Sequence, residues 1–419
     1  MPGSPQPGQL PSLAAAEWLV RRETQAVFAA LAARGHAARA VGGAVRNALL
    51  GLPVIDIDIA TPALPEAVME AARAAGLGAV PTGIAHGTVT VVANHVPHEV
   101  TTLRRDVETH GRHATVAFTD DWEADARRRD FTLNALYCGA DGEVFDPLGA
   151  YPDLAARRVR FIGDGRERIR EDYLRVLRFF RLTAEYGRGP PDADGLAACV
   201  AGREGLIQLS AERVRQELLR LLVAQRGPEL TRAAQDYGIL ALVLPAAPRP
   251  GLLTRVAAIG ATLGLVPDAI LRLAALAVEI EEDVDRLRDC LRLSNEEHAR
   301  LARAVQRAGD LAPSESQRAA RVWLYRDGEP AFRDRVLLAW MRADAGPESA
   351  LWRDLYALPG RWHPPKFPLG GSDVMALGVP AGPRVGEILR ALEAWWIAAD
   401  FAPDAAALRV KLRDLAAGT

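Results

Sequence analysis

Apolar and polar positions follow two different rhythms along this chain. Over residues 15–34, alanine and leucine recur at helical spacing, and Glu66–Ala75 repeats the pattern. Between residues 38 and 137 the rhythm shortens. Ala38–Val41, Val54–Ala60, Gly87–Val92, His98–Leu103 and Asp130–Cys138 predict strands or strand-flanked motifs, and Ala93–Pro97 reads as a hairpin connection. Beyond about residue 165 strand signals thin out and Ala/Leu/Arg/Glu helices run to the end. The pattern predicts an α+β chain, a mixed head followed by a helical remainder. Breaks fall at Gly187–Asp194, Pro245–Gly251 and Pro359–Gly371.

At 419 residues the chain has room for two to four domains with real cores. About half of it is hydrophobic and its net charge is −2, so the whole-chain charge does not announce a polyanion partner. The basic residues are almost all arginine, with lysine only at 366 and 411. Codon composition accounts for such a bias as well as function does, but arginine is the better bidentate phosphate ligand. Cys138, Cys199 and Cys290 make neither a zinc spacing nor a disulfide framework, which predicts a reducing cytoplasm. Residues 1–10 are Pro/Gly-rich without a basic segment and apolar core, and read as a loose tail. No apolar run approaches the length of a membrane span.

Candidate chemistry begins at Val41–Gly51, where Gly42 and Gly43 form a tight turn into a helix carrying Arg46. Such a turn offers backbone N–H groups to a phosphate. An apolar strand follows with Asp56 and Asp58 two residues apart, hence on one face. Adjacent carboxylates repel unless a cation lies between them, and this oxygen set suits Mg²⁺. Glu99 alternates out of phase with Val100; it is either a solvated strand residue or a third carboxylate. Arg128-Arg129-Asp130 through Asn134 fits a triphosphate and ribose clamp, or a capped helix start. Asp172 and Arg175 stand at i and i+3, with Arg178 one turn further; they form an intrahelical salt bridge or jointly read the edge of a base. Arg104–Asp125, with Asp106 and Arg112, reads as a long polar loop, and its His110 and His113 lack a third metal ligand nearby. Arg157, Arg158, Arg160, Arg166, Arg168 and Arg170 either track an RNA backbone or form a solvated charged face. Leu377–Gly386 reads as a glycine-rich turn into a helix whose start suits an RNA phosphate, and Trp395 and Trp396 read as core anchors.

Taken in order, these segments resemble the class II tRNA nucleotidyltransferase and bacterial poly(A) polymerase family. The resemblance rests on VGGAVRN, the Asp56/Asp58 pair, RRDFTLNAL, Asp146–Leu154, Glu171-Asp172…Arg175 and Ser210–Leu218, dense over residues 38–225. It implies a polymerase-β-like nucleotidyltransferase head (13–160) after a short tail (1–12). A helical neck (161–225) with a base-recognition helix, a body (226–358) and a tRNA-binding tail (359–419) would follow. By the same resemblance, Asp56 and Asp58 would be catalytic and would bind Mg²⁺, with Glu99 a candidate third ligand. Gly42, Gly43, Arg46, Arg129, Asp130 and Asn134 would hold triphosphate and ribose. Asp172 and Arg175 would act at the base as a protein template, with Arg178 also binding nucleotide, and the loop around Arg104, Asp106 and Arg112 would help switch from C to A addition. The expected partners are the tRNA acceptor end, CTP and ATP, with no DNA and no membrane.

The chain departs from the family turn at one position, where Asn47 replaces the usual Asp and carries no charge. None of the eight histidines precedes an Asp, so the chain shows no His-Asp phosphohydrolase signature. The expected chemistry is a two-metal in-line displacement that builds or repairs the CCA end. A poly(A) polymerase, a CC-only or A-only enzyme, and a non-catalytic RNA-binding protein on a decayed scaffold are the competing readings. The sequence pI near 6.5 and the absence of a basic C-terminal extension disfavour the first. Intact Asp56, Asp58, Asp130, Asp172 and Arg175 disfavour the last.

Overall fold

The computed structural model describes residues 10–110, 113–305 and 317–418. The chain divides into two compact units between Leu244 and Pro245, at the start of one of the proline/glycine breaks of the sequence.

The first unit opens with helices α1 (Glu17–Val20) and α2 (Arg22–Ala32), then strand β1 (Arg39–Val41), helix α3 (Gly43–Leu49), strand β2 (Asp58–Thr61) and helix α4 (Pro65–Ala74). Strands β3 (Gly78–Gly83), β4 (Thr88–Ala93) and β5 (Val96–Thr102) follow. With β8 (Tyr137–Cys138) and β9 (Val144–Phe145) they form one seven-stranded sheet of order β3-β4-β5-β2-β1-β8-β9. All neighbours are antiparallel except β2 and β5. Alternation decides the faces. Val89, Val91, His98, Val100 and Ile59 are buried, and α2 and α4 pack against this part of the sheet. Pro65 starts α4, whose Val68, Ala71 and Ala72 form its buried stripe. The expected hairpin joins β4 to β5: Ala93 pairs with Val96, and Asn94 and His95 both take positive φ.

Two sequence expectations are corrected here. Arg104–Asp125 is not a structureless loop. It holds β6 (Arg104–His110), β7 (His113–Phe118) and most of α5 (Trp122–Arg127), with β6 and β7 paired antiparallel. Its polar composition gave a loop signal because a two-stranded ribbon needs no core-facing alternation to pair its backbone. Arg112 lies outside the described residues, and Asp106 is described only through its backbone in β6. Likewise Asp130–Cys138 is mostly not strand: Phe131 makes an isolated antiparallel bridge to Phe161, Thr132–Asn134 is a 3₁₀ turn, and the sheet strand begins only at Tyr137.

After α6 (Tyr151–Ala155) the unit becomes helical, with α7 (Gly165–Glu171), α8 (Leu174–Tyr186), α9 (Ala193–Gly202), α10 (Ala211–Val223) and α11 (Gly227–Asp236). Helix α8 is the central strut, packed by both α10 and α11. Its Val176, Leu177, Phe179 and Phe180 are fully buried, and Phe179 stacks on Phe161 at 5.7 Å. The second unit is helical among its described residues. Trp396 is buried there with Ile388, Leu392, Leu408 and Leu412, and Trp395 packs against the same cluster, so both tryptophans are core anchors.

Candidate functional site

The glycine turn requires a glycine at position 42, while Gly43 already lies in the first turn of α3. Gly42 has φ +70°, and a Cβ on Gly42 or Gly43 would stand 3.7 Å from Arg129 Nη1 or 3.6 Å from Arg46 Nη2. Two guanidinium groups thus close on a backbone corner free of side chains. Arg46, only 9% exposed, is held by neutral groups alone. Its Nη1 donates to Asn134 Oδ1 at 2.6 Å, its Nε and Nη2 to Asn47 Oδ1 at 3.1 and 2.9 Å, and its Nη2 to Tyr186 Oη at 2.8 Å. Burial lowers its pKa from the usual arginine value, and the charge near Tyr186 and Glu185 offsets part of that. A buried cation without a carboxylate partner calls for an anionic ligand.

Arg129 is fixed differently. Its Nη2 donates to Asp125 Oδ2 at 3.0 Å, and Asp125 also accepts from Tyr137 Oη at 2.8 Å and from Arg128 Nε at 2.8 Å. Burial opposes ionisation of Asp125, but Arg129, Arg128 and these hydrogen bonds outweigh it and hold the carboxyl below its usual range. Asp130 behaves alike. Burial raises it, yet Arg178, Asn134 Nδ2 and the Phe131 amide together hold it low. Arg178 reaches Asp130 Oδ2 through Nε at 2.8 Å and Nη2 at 2.5 Å.

These side chains line one cleft of about 410 Å³ in the first unit. Gly42, Gly43, Arg46, Arg129, Asp130 and Asn134 supply one part of its wall, and Asp172, Arg175 and Arg178 another. All nine residues expected from the sequence to bind nucleotide therefore meet, and Asp58 joins them. The expected geometry of Asp172 and Arg175 is corrected. They do not share a helix face, because Asp172 lies between α7 and α8 in extended backbone (φ −155°, ψ 106°). Its Oδ2 accepts from Arg213 Nη2 at 2.7 Å and its Oδ1 from the Leu174 amide at 3.1 Å. Arg175 in the first turn of α8 donates instead to Glu171 and to the Arg168 carbonyl. The two groups are held separately, each by its own partner.

Burial alternates along Asp56 (exposed), Ile57 (buried), Asp58 (exposed) and Ile59 (buried), so both aspartates point to the open face of the sheet, although β2 itself begins only at Asp58. Asp58 is the register partner of Glu99 across the parallel β2–β5 pair. Desolvation raises the Asp58 carboxyl above its usual range, and the charges of Glu99 and Asp56 add to it against Arg129. Among the described residues no three acidic, imidazole or thiol groups form a ready metal cage. Mg²⁺ asks for less, one or two carboxylates with substrate phosphates completing the shell, and crowded anions beside a phosphate-type pocket fit that demand.

Other expectations fall elsewhere. Arg104 donates to the His86 carbonyl and does not line the cleft. Of the six arginines expected to face RNA or solvent, Arg158 and Arg160 pair with Asp153. Arg168 is buried, where it donates to Glu171 and to the carbonyls of Arg128 and Arg129. Arg157 contacts the Leu50 carbonyl at 3.5 Å. Arg166 and Arg170 remain exposed on α7, lining a second cleft of about 580 Å³ with Tyr173, Ile207 and Gln208. Sequence reasoning missed Arg213, Asp125, Glu217 and Tyr186. Arg213 and Glu217 lay inside the quoted Ser210–Leu218 segment, whereas Tyr186 carries no local signal because only folding brings it 140 positions back to Arg46.

Residues 38–160 match the model of the poly A polymerase head domain. The mitochondrial CCA tRNA nucleotidyltransferase 1 of Mus musculus is 35% identical over 378 residues, covering 87% of this chain and 84% of that protein. The CCA-adding enzyme of Geobacillus stearothermophilus is 39% identical over 215 residues, 51% of each chain. The crystal structure of the Bacillus stearothermophilus CCA-adding enzyme in complex with CTP superposes with a TM-score of 0.75 at 27% identity, covering 94% of this chain and 96% of that one. With a mixed-sheet nucleotidyltransferase head, a helical remainder and this breadth of identity, the chain belongs to the CCA tRNA nucleotidyltransferase family.

Proposed function

We propose that this protein adds or repairs the 3′-terminal CCA of tRNA, using CTP and ATP without a nucleic-acid template. The observation that carries the reading is Arg46, a buried guanidinium held only by neutral partners at the mouth of a glycine turn. Arg46 and Arg129 would take the triphosphate and bear the charge of the departing pyrophosphate. Asp130 and Asn134, locked to each other and to Arg178, would position the ribose. Asp172 would accept from an exocyclic amino group while Arg175 donates to ring acceptors, and their separate anchors fix the spacing that selects a base edge.

The RNA 3′-oxygen attacks the α-phosphorus as the pyrophosphate oxygen leaves in line. Asp56 and Asp58, with Glu99 beside Asp58, would hold Mg²⁺, which when bound supplies Lewis-acid neutralisation of the phosphate charge. The chain's own contribution is to align the two reactants and keep the arginines desolvated. No described helix is long and apolar enough to cross a membrane. We read the cytoplasm from three cysteines that remain unpaired thiols.

The test is extension of three tRNA transcripts, ending before CCA, after C and after CC, with Mg²⁺ and CTP, ATP or both. Addition of C, C and A followed by arrest is expected. An open-ended A ladder would replace this reading with poly(A) synthesis. Arrest after CC, or A addition to the CC end alone, would replace it with a split specialist. Binding without incorporation would make it a non-catalytic RNA-binding protein.

A further inference from the structure

Asn47 is the one residue of the glycine-turn motif that departs from the family pattern, and it uses both ends of its amide. Its Oδ1 accepts from Arg46 Nε and Nη2 at 3.1 and 2.9 Å. Its Nδ2 donates to the Pro53 carbonyl at 2.9 Å. Its own carbonyl accepts from the Leu50 and Leu52 amides at 3.1 and 2.8 Å. The segment so fastened runs from Gly51 (φ +68°) through Ile55, which is 86% exposed, to Asp56 and has no regular structure before β2. Leu52 and Val54 are only partly buried, and the first buried residue after Gly51 is Ile57.

We infer that Asn47 is a positioning residue with two separable jobs: its carbonyl oxygen aims the Arg46 guanidinium, and its amide nitrogen tethers the segment that presents Asp56. The inference rests on reading Arg46 as a triphosphate ligand. An aspartate could do the first job but not the second, because a carboxylate has no proton to offer the Pro53 carbonyl. An alanine could do neither. The amide therefore couples two parts of the site that are nine and ten residues apart in sequence (positions 46 and 47 against 56) through a single side chain.

The experiment compares wild type, N47A, N47D and R46A by steady-state extension with CTP. Amide hydrogen exchange of the peptide spanning 50–57, and melting temperature, are measured alongside. N47A should raise the CTP KM roughly tenfold, the loss of hydrogen bonds to one charged group, and should speed exchange of 50–57. N47D should recover most of the KM loss while exchange stays fast. Wild-type KM in N47A alongside a raised KM in R46A would overturn the Asn47 inference alone. Slow exchange in N47D would overturn the tether. An unchanged KM in R46A would overturn the inference together with the triphosphate reading of Arg46.

Discussion

At the residue scale, the site combines two opposite electrostatic arrangements. Asp58 is an anion under pressure, with its carboxyl raised by desolvation and by Glu99 and Asp56. Because its folded pKa is raised, ionising it costs stability as pH rises past its ordinary 3.8. D58N should therefore melt at or above the wild-type temperature without divalent ions at pH 7, while losing incorporation. Mg²⁺ should raise the wild-type melting temperature and not that of D58N, as differential scanning fluorimetry would show. Asp125 is the reverse, a buried carboxylate satisfied by Arg128, Arg129 and Tyr137. D125A leaves those cations unpaired and should cost about 3–5 kcal/mol in chemical denaturation. Its folded pKa is lowered, so this contribution is present above the ordinary 3.8 and fades as pH falls through the folded value. The two denaturation curves should converge only in strong acid. That the residues proposed to bind nucleotide would gather in one cleft was legible in sequence because their types and order carry chemistry. Their partners were not, since Tyr186, Arg213 and Asp125 gain meaning only from neighbours that folding supplies.

At the element scale, β1, β4 and β5 were read within two residues, because alternation such as Val89-Thr90-Val91 reports a buried face directly, whereas β3 and β9 were not read at all and β2 and β8 were read too early. The β6–β7 ribbon was missed because its backbone pairing imposes no apolar pattern. The break between α7 and α8 was missed too. Nothing in Glu171–Leu174 is a helix breaker by type, and Asp172 leaves the helix because Arg213 and the Leu174 amide compensate its side chain there. Helix α7 also sorts the arginines: Arg168 faces inward, while Arg166 and Arg170, four residues apart, stay exposed beside the larger cleft. If they contact tRNA phosphates, R166A/R170A should weaken tRNA binding and flatten its log Kd against log salt slope by about 1–2, with CTP KM unchanged. Filter binding across a salt series measures this, and an unchanged slope would assign the pair to solvent.

At the scale of the whole molecule, every group proposed to touch nucleotide belongs to the unit that ends at Leu244. A fragment covering residues 10–244 should then retain CTP and ATP binding within a few-fold of the full chain, measured by titration calorimetry. Loss of all nucleotide affinity in a folded fragment would place part of the site elsewhere. The division at Leu244 and Pro245 falls at the start of the Pro245–Gly251 break that proline and glycine density marks, but within the body expected over 226–358.

The parallel pairing of β2 with β5 carries a kinetic consequence. Asp58 and Glu99 become neighbours only after the chain has closed a crossover through residues 62–95, which contains α4 and two further strands. Antiparallel neighbours could meet through a tight turn; this pair cannot. The anionic corner is thus a late, non-local product of folding. A nascent chain that has emerged only through β2 presents isolated aspartates and has no assembled trap for divalent ions. The proposed metal-binding corner arises only once β2 and β5 have paired, so a head that misfolds before that step lacks it.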